Sequence, residues 1–346
     1  MPKIAIIGTT TWGVTLGMVL AYKSKRVRLW ARTDREVTKV STVSHNPASL
    51  VDVTSSPRLS ITSSLSEALT GAKAVILAVP SQTMRQNIKL VAGHLTESML
   101  VVSAAKGLEI GSSKRMSQVI AEEIDPRFRP NICVLSGPNL SREILQGLSA
   151  ATVVAAESEA VARTAQRLLT APNLCVYTNT DVIGVELGGS LKNIIALGAG
   201  IADGLGYGDN AKAAFITRGL TEMTALGVAL GANPLTFSGL AGLGDLIATC
   251  ASPLSRNHYV GVELTKGRSL KEITDSMDGV AEGVSTTLVA WNLAQQLGLE
   301  MPITEKIYQV LYEGVDPRQA ASELLTAEVR HELTGRKWKL FSFFRR

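Results

Sequence analysis

The stretch Lys3-Ile4-Ala5-Ile6-Ile7-Gly8-Thr9-Thr10-Thr11-Trp12-Gly13 joins a short apolar run to a glycine-bounded turn, and a helix-like segment follows over residues 14–23. A strand, a glycine-rich turn and a helix in this order form the turn that binds the pyrophosphate of a dinucleotide. Gly8 and Gly13 suit the tight turn and the close helix packing, but Thr10 replaces the middle glycine of the usual fingerprint. A plain strand–turn–helix unit therefore remains the alternative for this stretch taken alone.

Further apolar runs of strand length are separated by turn residues or by helix-like segments. They cover residues 26–30, 74–79, 99–103, 132–136, 151–155 and 174–177, and a helix is expected over 157–170. Apolar runs that alternate with helices are typical of parallel strands joined by crossover helices. The pattern predicts an α/β Rossmann-type, doubly wound, mostly parallel sheet domain over residues 1–180.

The second half of the chain has a different texture. Long helix-like stretches over 181–203, 210–230 and 284–297 are broken by glycine-rich turns, which predicts an all-α helical domain over residues 181–335. Residues 336–346 form a basic aromatic tail, expected to be flexible, with a membrane-surface or partner role as the alternative.

Composition excludes several classes of protein. A chain of 346 residues, 45% hydrophobic and 19% charged, suits two ordinary globular domains that share a cleft. The three cysteines are far apart and form no Cys-x-x-Cys pair, so we expect no disulfide framework, no metal site and a cytoplasmic location. No run reaches the ~18 apolar residues of a transmembrane segment. The net charge of +5 comes from scattered residues, so we expect a small phosphorylated ligand rather than nucleic acid.

The end of the second predicted strand bears on the choice of cofactor. An NAD-selective site often has a carboxylate here, against the ribose 2′-hydroxyl, but the first charged residue is Arg32. Asp34 lies within Thr33-Asp34-Arg35-Glu36, which is typical of a capping box that opens a helix. Arg32 and Arg35 could bind a 2′-phosphate, which predicts NADPH as the preferred cofactor and NADH as a second one.

Reduction of a ketone by a nicotinamide needs a proton donor to the developing alkoxide. The four histidines, His45, His94, His258 and His331, lie in no convincing motif, so lysine is the candidate.

Lys192 ends the run Gly184-Val185-Glu186-Leu187-Gly188-Gly189-Ser190-Leu191-Lys192, whose glycines allow close packing. Lys106 follows the fourth predicted strand, at a carboxyl end where α/β sheets bind ligands. Burial or a second cation nearby would move the pKa of such a lysine toward neutrality. A solvated surface lysine and a loop cation are the respective alternatives.

Residues 239–257 combine glycines with polar groups suited to an anion. Three glycines precede Asp245, and Ser255-Arg256-Asn257 offers a hydroxyl, a guanidinium and an amide that suit a phosphate. A helix N-cap is the alternative for Ser255 or Asn257 alone.

These motifs together resemble the bacterial-type NAD(P)-dependent glycerol-3-phosphate dehydrogenases. The matching blocks are residues 8–13, 77–81, 106–109, 136–138, 184–193, 201–206, 209–212 and 239–257. The resemblance implies a homodimeric oxidoreductase that reduces dihydroxyacetone phosphate to sn-glycerol 3-phosphate for glycerophospholipid synthesis. It implies Lys192 as the acid–base residue.

The resemblance also implies two sets of ligand contacts. Substrate contacts are expected from Lys106, Gly137, Asn139, Lys192, Asp245, Ser255, Arg256 and Asn257. Cofactor contacts are expected from Gly8, Thr11, Trp12, Gly13, Arg32, Lys106, Ser141, Arg256, Val280 and Glu282. Thr10, Thr11, Asn139 and Ser141 depart from the residues usual in the family, so an altered cofactor affinity is expected.

Two other functions are consistent with these motifs. The first is a reductase for another small hydroxy acid or hydroxy phosphate, because Rossmann-plus-helical architectures serve several substrates. The second is a non-catalytic NADPH-sensing module whose helical half binds a partner. Substrate-dependent oxidation of NADPH would distinguish the enzymes from the sensor.

Overall fold

An eight-stranded sheet forms the first half of the computed structural model, which describes residues 2–22, 25–43, 56–277 and 279–326. Its strands are β1 Lys3–Ile7, β2 Arg26–Trp30, β3 Leu59–Thr62, β4 Ala72–Leu77, β5 Leu100–Ser103, β6 Ile132–Ser136, β7 Ala150–Ala155 and β8 Leu174–Asn179. Their order across the sheet is β3-β2-β1-β4-β5-β6-β7-β8, and each neighbouring pair is parallel except the antiparallel pair β6–β7. The predicted doubly wound, mostly parallel sheet is confirmed.

Helices cover both faces of the sheet because its central strands are apolar on both sides. Along β1, Ile4 and Ile6 pack into one hydrophobic core, whereas Ala5 and Ile7 pack into another on the opposite face. The helices of this half are α1 Thr11–Tyr22, α2 Asp34–Val43, α3 Leu65–Leu69, α4 Met84–Ala92, α5 Met116–Glu123, α6 Ser141–Leu145 and α7 Glu159–Leu169.

One strand and several strand bounds differ from the sequence prediction. β3 was not predicted, because Leu-Ser-Ile-Thr at 59–62 is half polar and forms an edge strand next to β2 alone. β4 covers 72–77 rather than 74–79, β5 begins at 100 rather than 99, β7 begins at 150 rather than 151, and β8 ends at 179 rather than 177.

The second half of the described chain is helical, as predicted. It comprises α8 Val182–Gly204, α9 Gly208–Ala229, α10 Pro234–Phe237, α11 Asp245–Ala251, α12 Arg256–Thr265, α13 Leu270–Asp275, α14 Glu282–Leu297, α15 Pro302–Tyr308 and α16 Pro317–Thr326. Single π-helical turns at Leu240–Gly244 and Gln309–Glu313 precede α11 and follow α15. The basic tail predicted at 336–346, together with His45 and His331, lies outside the described residues.

Helix α8 is the central element of the helical half, and α9, α11, α12 and α14 all pack against it. Glycines allow α12 to approach it at backbone contact. A Cβ on Gly200 would overlap the carbonyl of His258, and one on Gly261 would overlap the carbonyl of Leu197. This close crossing brings the beginning of α12 next to Lys192 on α8.

Two helical stretches, Val182–Gly204 and Pro234–Ala251, are long and apolar enough to cross a bilayer by length and composition. The first is α8, which contains an apolar stretch of 18 residues that is 89% buried inside the protein, as expected of a core helix. The second contains Asp245, a buried carboxylate bonded to two lysines.

The α8–α12 crossing makes a prediction about stability. Substitution Gly261→Ala adds a methyl group where only backbone atoms lie, so it should lower the free energy of unfolding by about 3 kcal/mol or more. The control is Gly93→Ala, at an exposed helix end where a Cβ meets nothing within 4 Å. Urea denaturation measures both variants, and equal effects would contradict the proposed packing constraint.

Candidate active site

A cavity of about 1000 Å³ lies between the carboxyl ends of the sheet strands and the helical half. Ligands of open α/β sheets bind at this edge. Twelve of the predicted site residues line the cavity: Thr11, Trp12, Lys106, Asn139, Ser141, Lys192, Asp245, Ser255, Arg256, Asn257, Val280 and Glu282. Gly8, Gly13, Arg32 and Gly137 are not in this lining.

Asp245 joins two lysines that come from different halves of the molecule. Its Oδ1 accepts a hydrogen bond from Lys192 Nζ at 2.8 Å, and its Oδ2 accepts one from Lys106 Nζ at 2.7 Å. Lys106 also donates to the carbonyl of Gly137 at 2.8 Å, and Lys192 donates to the hydroxyl of Thr249. Asp245 and Lys192 are 2% and 6% exposed, which excludes the solvated-surface alternative for Lys192.

Burial and the neighbouring charges shift the pKa values of Lys106 and Asp245. Burial lowers the pKa of Lys106, the neighbouring Lys192 ammonium adds to this effect, and Asp245 opposes both, so that the resulting pKa is about 8. Burial alone would raise the pKa of Asp245, but the two ammonium groups outweigh it and hold that pKa below its ordinary value. Asp245 therefore stays ionised, and the cluster of two cations and one anion favours negative charge on a ligand.

Glycines place Asp245 against α8. The π-helical turn that precedes Asp245 packs on α8, where a Cβ on Gly188 would lie 2.6 Å from the carbonyl of Ala241. Gly188 lies one helical turn before Lys192, so the close approach at Gly188 also brings Asp245 to the lysine. Thr249, four residues after Asp245, was not predicted; its place on the same face of α11 is the signal that could have identified it.

The N-terminus of α12 lies at one end of the cavity, and its residues 255–257 are those predicted to bind a phosphate. The hydroxyl of Ser255 accepts a hydrogen bond from the His258 N–H at 3.2 Å, so Ser255 is the N-cap of this helix. Arg256 donates one guanidinium N–H to the Val280 carbonyl at 2.9 Å. Backbone N–H groups and the helix dipole make such an N-terminus favourable for an anion, and the other N–H groups of Arg256 add to it.

Asn257 has contacts that hold the site together. Its side-chain amide donates to Asn193 Oδ1 at 2.8 Å, and its side-chain oxygen, Oδ1, accepts from the N–H of Gly283 at 2.9 Å. Asn257 therefore connects α8, α12 and the beginning of α14.

The loop after β1 fits a dinucleotide despite its missing glycine. Gly8 has φ +107°, and a Cβ there would lie 2.8 Å from the Ala78 carbonyl. The Thr10 hydroxyl donates to that carbonyl at 2.7 Å and accepts from the Gly13 N–H at 3.1 Å, so it caps α1. The indole N–H of Trp12 is buried in the cavity wall with no partner among the described residues, which leaves a donor for a bound ligand.

The region expected to bind the adenosine differs from the prediction in its details. Arg32 donates to Gln86 at 3.3 Å and to Asn87 at 3.2 Å, outside the cavity lining. Glu36 and Lys39 line the cavity instead, and sequence analysis did not single them out as ligands.

The predicted capping box at the start of α2 forms only in part. The Thr33 hydroxyl accepts from the Glu36 N–H at 3.2 Å, but Glu36 accepts from the N–H of Arg32 rather than that of Thr33. Asp34 accepts from the Ser63 hydroxyl, consistent with a local structural role.

Residues at the far side of the cavity connect the two halves. Glu282 accepts hydrogen bonds from the backbone N–H of Ser81 at 2.8 Å and from its hydroxyl. Burial raises the pKa of Glu282.

Asn139 donates to the Pro138 carbonyl at 3.0 Å and accepts from Thr152 at 3.0 Å, so its amide binds the sheet while the residue lines the cavity. Within the described ranges, no three His, Cys, Asp or Glu residues cluster as a metal site.

Known proteins resemble this chain over both halves. Two family models, NAD-dependent glycerol-3-phosphate dehydrogenase N-terminus and C-terminus, match residues 3–162 and 181–322. A protein of Dehalococcoides mccartyi strain 195 named glycerol-3-phosphate dehydrogenase (NAD(P)+) is 65% identical over 100% of this chain and 97% of its own length. A relative of the same name from Geobacter metallireducens is 47% identical over 95% and 98% of the two chains. The crystal structure of a Coxiella burnetii glycerol-3-phosphate dehydrogenase has a TM-score of 0.87 at 36% identity, covering 94% of this chain and 99% of that one.

The lysine–aspartate cluster makes a prediction about titration. Lys106 should titrate near pH 8, and Asp245→Asn should lower its pKa further, because the carboxylate charge favours the protonated amine. NMR of lysines labelled at Cε measures this, with Lys106→Arg to assign the signal. Lys212, whose pKa is raised by Asp203, serves as the reference that should not move. A Lys106 midpoint near 10.5 in the unmodified protein would contradict the cluster as described.

Proposed function

The chain belongs to the NAD-dependent glycerol-3-phosphate dehydrogenase family, and we propose that it reduces dihydroxyacetone phosphate to sn-glycerol 3-phosphate with a nicotinamide dinucleotide. The observation that carries the proposal is the bridge between Lys192, Asp245 and Lys106. It lies in one cavity with the dinucleotide loop and with the N-terminus of α12. A ketone held by its phosphate at α12 would reach the lysines.

The chain's own residues divide the work of the reaction. A nicotinamide dinucleotide, when bound, would supply hydride for the ketone carbon. Lys192 Nζ gives its proton to the oxygen as it becomes an alkoxide, and the Lys106 ammonium stabilises the negative charge on that oxygen. Asp245 keeps both amines oriented through its two oxygens. In the direction of oxidation, Lys192 takes the hydroxyl proton instead.

Binding groups on both sides of the lysines orient the two reactants. The turn at 8–13, with the indole N–H of Trp12, would hold the cofactor pyrophosphate, and Ser141, Val280 and Glu282 would hold the rest of the cofactor near Lys106. Arg256 and the first N–H groups of α12 would hold the substrate phosphate. Gly137 and Asn139 would contribute from the sheet, since the Gly137 carbonyl already fixes Lys106.

We also propose the finer points that the family resemblance suggests. Residues 1–180 would form the cofactor domain and 181–335 the substrate domain of a cytoplasmic homodimer that supplies glycerophospholipid synthesis. β8 ends at Asn179 and α8 begins at Val182, which supports a boundary near 180. NADPH would be preferred over NADH because Arg32 and Arg35 follow β2, where the cofactor 2′-phosphate would lie.

The role of Lys192 is tested by a matched pair of variants. Lys192→Met should lower turnover by about 10²–10⁴-fold, since it removes the proton donor, while the dissociation constant for NADPH changes little. The control is Lys306→Met, which removes a lysine bonded to Glu323 away from the cavity. The measurement is NADPH oxidation with dihydroxyacetone phosphate. Near-normal turnover of Lys192→Met would refute the assignment, and no oxidation by the unmodified protein would favour the sensor.

Cofactor preference gives a separate test. Arg32→Ala should lower kcat/KM with NADPH by about tenfold or more and leave kcat/KM with NADH nearly unchanged, because only NADPH carries the 2′-phosphate. Equal losses with both cofactors would indicate that Arg32 only orders α4 through Gln86 and Asn87.

A further inference from the structure

The loop between β5 and α5 carries Lys106 and contacts the helical half near both of its ends. Two residues after Lys106, Leu108 is fully buried in the helical core with Leu187 and Leu191 of α8. Gly107 leaves no room for a Cβ, which would lie 2.9 Å from Glu282 and overlap Ser81. The position of Lys106 therefore depends on how this loop is attached to helices that follow it in the chain.

A second attachment lies at the far end of this loop. The carboxylate of Glu186, on α8, accepts hydrogen bonds from the Ser117 N–H at 2.7 Å and from the Ser117 hydroxyl at 2.6 Å. The same carboxylate binds the guanidinium of Arg115. Ser117 lies in the first turn of α5, so Glu186 caps a helix of the sheet half from the helical half. The side chains of Glu186 and Arg115 are 6% and 16% exposed, so the ion pair is largely shielded from solvent.

Glu186 also has a fixed relation to Lys192. The two residues are six positions apart on the continuous helix α8, a rise of about 9 Å. Lys106 and Arg115 lie at opposite ends of the loop that Glu186 fastens. Lys192 thus lies on α8 itself, and Lys106 lies on the loop that α8 holds through Glu186.

Among the residues that the structure describes, three carboxylates of the helical half accept hydrogen bonds from the sheet half: Glu186, Asp245 and Glu282. Asp245 and Glu282 line the cavity, where a ligand would contact them, but Glu186 does not. Its contacts are therefore available to hold the two halves together whether or not ligands are bound.

We propose that Glu186 is a positioning residue of the reaction, which sets the distance between the two lysines by fastening the Lys106 loop to α8. The inference rests on the proposed function, in which both lysines act on one oxygen. Removal of the charge on Glu186 leaves the Arg115 guanidinium buried without its counterion, so the loop would separate from α8. Lys106 would then move away from Asp245 and Lys192 and gain water.

The test is Glu186→Gln, which keeps the shape of the side chain and removes its charge. We expect kcat to fall by about 10- to 100-fold, since small misplacements of a reacting group have effects of this size. The dissociation constant for NADPH should stay within about twofold, because the cofactor loop belongs to the sheet half. The alkaline limb of the kcat pH profile should move to higher pH, because Lys106 loses the burial and the repulsion from Lys192 that lower its pKa. These two losses outweigh the loss of the Asp245 carboxylate, which raises that pKa.

Glu222→Gln is the matched control. Glu222 is also a buried glutamate, and it caps α15 through the N–H groups of Ile303 at 2.7 Å and Thr304 at 3.0 Å, entirely within the helical half. The Glu222→Gln variant should be less stable than the unmodified protein, but the pH profile of its kcat should not shift.

Ser117→Ala removes only a neutral donor. It should shift kcat and the alkaline limb of its pH profile in the same direction as Glu186→Gln, but by less. It carries the test alone if Glu186→Gln does not fold.

The outcomes separate this inference from the proposed function. An unmodified protein that does not oxidise NADPH with dihydroxyacetone phosphate overturns the proposed function itself. If that protein is active, a Glu186→Gln variant with the kcat and pH profile of Glu222→Gln overturns the positioning role. The positioning role is also overturned if neither Glu186→Gln nor Ser117→Ala moves the alkaline limb of the kcat pH profile.

Discussion

The bond of one buried carboxylate to two ammonium groups is the interaction on which the site depends. Asp245 holds Lys192 of the helical half and Lys106 of the sheet half, and its charge compensates theirs only while the two halves remain together. A buried lysine without such a partner would lose its proton or turn toward water. The fold must therefore bring the loop after β5, the middle of α8 and the beginning of α11 to one point.

Backbone approach makes this convergence possible. Gly188 lets the turn before Asp245 pack on α8, and Gly200 with Gly261 lets α12 cross α8, which brings the phosphate-binding end beside Lys192. On the other side, the tight turn at Gly8 brings the beginning of α1 to the same cavity. Glycines, which carry no functional group, thus allow the reacting side chains of the site to come together.

Local patterns in the sequence predicted most of the fold, the two lysines, Asp245 and the beginning of α12. The other predicted residues that line the cavity came from the family resemblance: Thr11, Trp12, Asn139, Ser141, Val280 and Glu282. β1 and β2 were predicted with their observed ends because they are short apolar runs bounded by turn residues. The edge strand β3 was missed because half of its residues are polar. Lys192 and Lys106 were singled out by their surroundings, but their common partner and the contact of Glu186 with Ser117 join residues 53 to 139 positions apart, which no local pattern contains. Thr10 illustrates the same limit: the sequence showed a missing glycine, and only the fold shows its hydroxyl capping α1.

An amine of the helical half is proposed to meet the oxygen of a ketone whose phosphate lies at α12. A crystal structure of the protein with a nonreactive pair, NADP+ and dihydroxyacetone phosphate, tests it most directly. We expect Lys192 Nζ within hydrogen-bonding distance of the ketone oxygen, Asp245 still between the two lysines, and the phosphate on Arg256 and the first N–H groups of α12. A substrate phosphate bound elsewhere, with Lys192 directed away from the reacting carbon, would contradict it.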